Sequence, residues 1–314
     1  MSDVRGVAPG AAGVVGTTAV PGPTGTIHDQ GYQRYEGTRT PQSRRLLVIA
    51  RNVIVVAWKS RWGVKAPLLG TVLTLLIAAG FLVVSTKIQS ATHGRTPDML
   101  RPDSILAGAI GFFLLFGVIL TITVAMGAIA DDLRSGAFQF YFSRPLRPAD
   151  YVRGKLLGLF AIVGTATFAG PFLLGVLRVC LTDDLAQARA ELHVIPACFV
   201  IGVLATLVLV LPAVGLASLL RQRVAAQAAF IVYWIVLAGL ATVLSYNLRL
   251  PALGLVSLSN DLRIVTRALF GLRQELRAAE PWQAVLVMLG ASVAGYVALT
   301  RRIRSASTAG IGGV

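Results

Sequence analysis

Ser104 to Ala130, SILAGAIGFFLLFGVILTITVAMGAIA, contains no charged side chain, and neither does Leu156 to Leu177, LLGLFAIVGTATFAGPFLLGVL. At 1.5 Å of rise per residue these stretches make helices of roughly 40 and 33 Å, enough for a hydrocarbon layer about 30 Å thick. Between them lies Asp131 to Lys155, DDLRSGAFQFYFSRPLRPADYVRGK, the most informative polar interruption in the chain. Four more charge-free windows flank this pair, Ala66–Thr86, Leu192–Leu220, Val224–Leu248 and Pro281–Thr300. The pattern predicts an all-α membrane protein with six transmembrane helices, at about 66–86, 104–130, 156–177, 194–220, 224–248 and 281–300.

Composition agrees, since 55% of the 314 residues are hydrophobic and only 14% are charged, outside the range of soluble domains. The net charge of +15 would point to nucleic acid in a soluble protein, but its distribution points elsewhere. With both termini cytoplasmic, 19 of the 29 Lys and Arg residues fall on the inner side, which nets +13 against +2 outside. The positive-inside rule selects that orientation, and a basic inner face beside anionic lipid accounts for the charge. No basic patch sits on a soluble domain, so no nucleic-acid partner is expected.

Residues 1–26, rich in Gly, Ala, Pro and Thr, read as a disordered tail. Residues 27–65 form a cytoplasmic or interfacial elbow segment. Its part Ser43–Trp62, SRRLLVIARNVIVVAWKSRW, is too short to span but suits a helix in the headgroup layer, with its arginines and lysine reaching water. A plain approach to the first span is the other reading. Residues 66–304 hold the transmembrane domain, and 305–314 read as a flexible C-terminal tail. Between the last two spans, Leu262, Val265, Leu269, Leu272 and Leu276 recur at three and four, predicting an amphipathic helix that lies on or dips into the outer leaflet.

Several chemistries are missing. There is no GxxxxGK[ST], HExxH or GxSxG motif and no cysteine-rich cluster, and His28, His93 and His193 lie in three separate segments. No catalytic or metal-binding residue is predicted, and the span interiors lack the carboxylates of an ion relay. Cys180 and Cys198 flank one outer loop and are open to pairing or to packing as small apolar residues. Thr121, Thr123, Gln227, Tyr233 and Asn247 could line a path or bond between helices. Gly108, Gly111, Gly117 and Gly127 in the second span are explained by close helix packing.

In the loop, Asp131 and Asp132 would oppose the negative end of the helix dipole if the second span ended there, so the helix is expected to continue. Arg144 precedes Pro145 and is pushed out of the α region, which predicts a stop around Phe142 or Ser143. Pro148 suits a first helical position, with Asp150 in the first turn. The element projects Phe138, Phe140, Tyr141 and Phe142 beside Arg134, Arg144 and Arg147. That is the composition of a protein interface, or equally of an aromatic belt with positive-inside arginines.

The layout resembles the membrane subunit of an ABC-2 type transporter. The matching positions are Asp131 or Asp132, Gly136, the aromatic stretch Phe138 to Phe142, Pro145 with Arg144 and Arg147, and Lys155 opening the third span. Asp29 to Arg39, with Tyr32, Tyr35, Gly37 and Arg39, resembles the start of some bacterial members, and the outer amphipathic segment resembles their extracellular or re-entrant helices. The resemblance implies a non-catalytic permease of the bacterial inner membrane that dimerises as a homo- or heterodimer and exports a substrate between the two copies. ATP and Mg would be held by a separate ATP-binding cassette subunit, with no cofactor on this chain. The loop would be the cytoplasmic coupling helix, meeting that subunit through Asp131, Asp132, Arg134, Gly136, Phe138, Tyr141, Phe142, Arg144, Pro145 and Lys155, aided by the elbow. The alternative is a non-transporting scaffold or assembly subunit using the same loop.

Overall fold

The computed structural model describes residues 44–60, 62–91, 97–137, 147–182, 185–220, 222–274 and 279–309. Tyr32, Tyr35, Gly37 and Arg39 of the elbow lie outside these residues, as do Phe138, Phe140, Tyr141, Phe142, Arg144 and Pro145 of the loop. All regular structure among the described residues is helical. A first helix, α1 (Arg45–Lys59), precedes α2 (Lys65–Ala91), α3 (Pro102–Arg134) and α4 (Pro148–Cys180). Then come the short α5 (Leu185–Glu191), α6 (Val194–Leu219), α7 (Arg223–Leu248), the single turn α8 (Pro251–Gly254), α9 (Leu258–Leu269) and α10 (Pro281–Ala309).

Six of these helices are long and apolar enough to cross a membrane, and they cover the six predicted spans apart from Leu220 at the end of the fourth. Several run past the apolar core because polar residues at their ends remain helical. α6 is the axis of the bundle, with 61% of its apolar window buried, whereas α7 has only 11% buried. The closest crossing is α6 on α10. A Cβ placed on Gly215 would come 2.6 Å from the Cα of Gly295, and one on Gly295 would collide with Leu211 O and lie 2.8 Å from the Cα of Pro212. Only glycine lets these two backbones meet. α1 docks on the first turns of α4 in the same way, since a Cβ on Gly158 would stand 2.8 Å from Ala50 O.

Three spans contain a wide π turn, at Thr121–Ala125 in α3, Thr165–Ala169 in α4 and Val232–Leu237 in α7. Such turns have no sequence signature and recur at functional sites. Of the four second-span glycines, Gly117 packs against Thr167 and Leu209, and Gly127 lies beside Arg223 and Asp131. Gly108 and Gly111 do not fit the packing explanation. A Cβ on either would meet nothing within 4 Å, and both border a cavity of about 450 Å³ facing α9.

After α7 the backbone reverses at Arg249 (φ 59°), and the chain folds back along that helix. Tyr233, well before the end of α7, donates from Oη to Val256 O (3.0 Å), while Asn260 Nδ2 donates to Gly254 O (3.3 Å). Ser257 caps α9 by accepting from the Asn260 N–H. Leu262 and Val265 are buried as the periodicity predicts, but Leu269 ends the helix half exposed. Asp261 beside them is also fully buried, and neither carboxylate oxygen has a hydrogen-bond partner among the described residues.

Burial pushes the Asp261 carboxyl up to about 8 from 3.8. A folded-state value above the unfolded one means that the proton is held more tightly when folded. Asp261 is therefore harmless below about pH 4 and increasingly destabilising as pH rises to about pH 8. The prediction is that Asp261→Asn raises the unfolding temperature at pH 8 and leaves it nearly unchanged at pH 4. A thermal melt of both proteins in the same detergent at the two pH values checks it.

Candidate functional site

The two ends of the 131–155 connection meet in a buried polar junction. α3 stops at Arg134, where the Ser135 N–H and Oγ both donate to Asp131 O (2.9 and 2.8 Å). Gly136 follows in the left-handed region (φ 66°) that closes helices and favours glycine. This corrects the expectation that the helix continues unbroken into the loop; the expected stop at Phe142 or Ser143 itself lies outside the described residues. The argument from Arg144 and Pro145 limits where a helix can reach, but Gly136 ends it first. Asp131 and Asp132 consequently do sit in the last turn against the dipole, and cations from two other helices offset that placement.

Asp132 Oδ2 accepts from Lys155 Nζ at 2.8 Å and from Tyr151 Oη at 2.6 Å. Lys155 Nζ also donates to Ala128 O (2.9 Å), and its side chain is only 8% exposed. An ammonium this far from water is tolerable only with such partners. Tyr151 and Lys155 are one turn apart on the same face of α4, which starts at Pro148 with Asp150 in its first turn as the sequence predicts.

Asp131 points the other way, 3.5 Å from the Arg223 Nη1. Arg223 donates from Nη2 to Thr123 O (2.9 Å), and Gln227 from Nε2 to Ile122 O (2.9 Å). Both carbonyls belong to the π turn of α3, so the start of α7 is seated on that turn. A cavity of about 240 Å³ separates the junction from α1, with Asn52 and Ser60 on its far wall.

The structure therefore brings together Asp131, Asp132 and Lys155 of the sequence-derived set, with Gly136 closing α3 just beyond them and Arg134 exposed nearby. It assigns Asp132 to Lys155 and Asp131 to Arg223, resolving which aspartate faces the lysine. Tyr151, Arg223 and Gln227 were missed as members. Spacing of four from Lys155 could have found Tyr151, whereas the other two bond across about a hundred residues of sequence.

At the opposite end of the bundle, Arg178 is buried between Asp103 and Glu191, the latter at 3.1 Å, and ties α4 to α3 and α5. The polar span residues are likewise engaged with backbone. Thr121, Thr123, Tyr233 and Asn247 donate to Gly117 O, Ile119 O, Val256 O and Val243 O, so Gln227 and Tyr233 link elements rather than standing open. Cys180 and Cys198 are both free thiols; Cys198 is buried, as the packing reading has it, whereas Cys180 is exposed. Among the described residues no group of three His, Cys, Asp or Glu side chains is placed to hold a metal ion.

A search of curated proteins finds no match. Residues 29–300, however, match the family described as ABC-2 family transporter protein, so the match takes in the first five spans, most of the sixth and the junction. With most of its length inside that match, the chain belongs to the ABC-2 family of transporters, as a multi-pass membrane-spanning transport subunit.

Proposed function

We propose that this chain is the permease of an exporter in a bacterial inner membrane, with both termini cytoplasmic. It pairs with a second permease copy and is driven by a separate ATP-binding cassette subunit that holds ATP and Mg. The segment from Asp131 to Lys155 receives the motion of that subunit, and α1 acts as the elbow beside it. The observation that carries this reading is the Asp132–Tyr151–Lys155 junction. It ties both ends of the segment together and, through Asp131 and Arg223, reaches a third helix. A push on the segment would thus be delivered to α3, α4 and α7 at once.

The test is to purify the full chain from membranes with its associated proteins and assay ATP hydrolysis. Phe138→Ala and Tyr141→Ala are expected to lower stimulated hydrolysis about tenfold or more while leaving expression unchanged, as loss of aromatic interface anchors does. Complexes that never contain an ATPase, together with variants of unchanged function, would sink the reading. A tight complex with a protein lacking ATPase activity would instead support the scaffold alternative.

A further inference from the structure

Asp261 lies on the inward face of α9, with Leu258 one turn before it and Val265 one turn after it, both buried. α9 packs against α10 and α6, and it also touches α3 and the end of α7. A carboxylate on an amphipathic helix ordinarily stands on the polar face, where water or a cation holds it. Here it is sealed among apolar side chains, and neither oxygen accepts a hydrogen bond among the described residues. The neighbouring elements bring no cation. α6 and the apolar part of α10, Pro281–Thr300, contain no Asp, Glu, Lys, Arg or His, and their titratable groups are Cys198 and Tyr296. α3 brings Asp103 in its first turn, which is engaged by Arg178. α7 brings Tyr233, close enough to feel the charge of Asp261 but committed through its hydroxyl to Val256 O. On α9 itself, Arg263 and Arg267 border two cavities that Asp261 does not line.

The piece of chain that carries Asp261 is bounded by two backbone reversals in the left-handed region, Arg249 (φ 59°) and Gly271 (φ 63°). A few such positions at the ends of an element can absorb the rotation that moves it as a unit. An ionised carboxylate without a donor in an apolar site opposes docking and favours any arrangement in which it meets water. We propose that Asp261 is a proton-binding site that latches α9 to the bundle, the helix docking when the carboxyl is protonated and leaving α6 and α10 when it is not. α9 also walls the cavity of about 450 Å³ bordered by Gly108, Gly111 and Leu114, so release would open that space at the end of the bundle opposite the junction. Burial raises the carboxyl to about 8 from 3.8, so docking is fully favoured below about pH 4 and weakens about tenfold per pH unit up to about pH 8. The latch does not rest on the transport reading, because no ATPase enters its test.

The experiment follows amide hydrogen exchange of the full chain in maltoside micelles, comparing wild type with Asp261→Asn at the same pH so that the intrinsic pH dependence of exchange cancels. For amides of 258–269, the ratio of wild-type to variant rate is expected to rise on the order of 100-fold between pH 5 and pH 7. In wild type at pH 7 these amides should exchange about tenfold or more faster than those in the middle of α6, the mark of a local opening. A ratio that does not change with pH overturns the proposal. So does equal protection of α9 and α6, because Asp261 would then meet water only when the whole bundle unfolds. Infrared spectroscopy of wild type alone supplies a measurement that needs no variant. Ordinary carboxyls are ionised at pH 6, whereas Asp261 should still give the carbonyl band of a protonated acid, lost with a midpoint of about 8. Absence of that band at pH 6 overturns the proposal as well.

Discussion

Replacing Asp132 by leucine is expected to cost about 3–5 kcal/mol, because it takes the carboxylate from the nearly buried Lys155 ammonium, leaving Ala128 O as its hydrogen-bond acceptor among the described residues, and removes an acceptor of Tyr151 Oη. Little folded protein should survive extraction. The double change Asp132→Leu/Lys155→Met should recover most of that loss, since removing both charges leaves no unpaired ion in the junction. Denaturant titration of the purified chains measures both values. The double variant also separates structure from mechanism. If the junction transmits motion, the recovered protein should bind the proposed ATPase subunit yet fail to transport. If it stabilises the fold and does nothing more, transport should return with stability.

Gly295→Val is the second large effect. Its side chain would have to occupy space held by the backbone of Leu211 and Pro212, and no rotamer of a neighbour can relieve a clash with backbone. The α6–α10 crossing would separate, at a cost of about 3 kcal/mol or more. The matched control is Gly290→Val on the same helix, where an added Cβ meets nothing within 4 Å. There the change should stay within about 0.5 kcal/mol. Unfolding temperatures of the two variants, compared with wild type in one detergent, test the pair. Equal losses would show that intrinsic helix propensity, and not the crossing, sets the cost.

The spans were legible because hydrocarbon tolerates no charge, so their windows are bounded by the residues that end them, as Asp131 and Lys155 bound the windows around the loop. The restart at Pro148 was legible for a local reason, a fixed φ at a position needing no N–H. What escaped was tertiary. Arg178 lies just past the third charge-free window, and nothing local to it announces that α3 and α5 bring Asp103 and Glu191 to it. Gly136 was recognised as a family position but not as the stop of α3, because a single glycine does not announce its φ. Gly108 and Gly111 fit a packing pattern that Gly117 satisfies and they do not, since periodicity does not say which face of a helix has a neighbour.

The seat of α7 on α3 is built from one arginine and one glutamine, and both of their acceptors are main-chain oxygens, Thr123 O and Ile122 O. Every amino acid supplies that oxygen, so side-chain changes at 122 and 123 leave the attachment intact provided the π turn survives. The donors have no such freedom. One half of this joint can therefore drift in sequence while the other is held fixed, and related chains should show variety at the turn opposite constancy at 223 and 227. Comparing those two pairs of positions across relatives would reveal the joint without a structure.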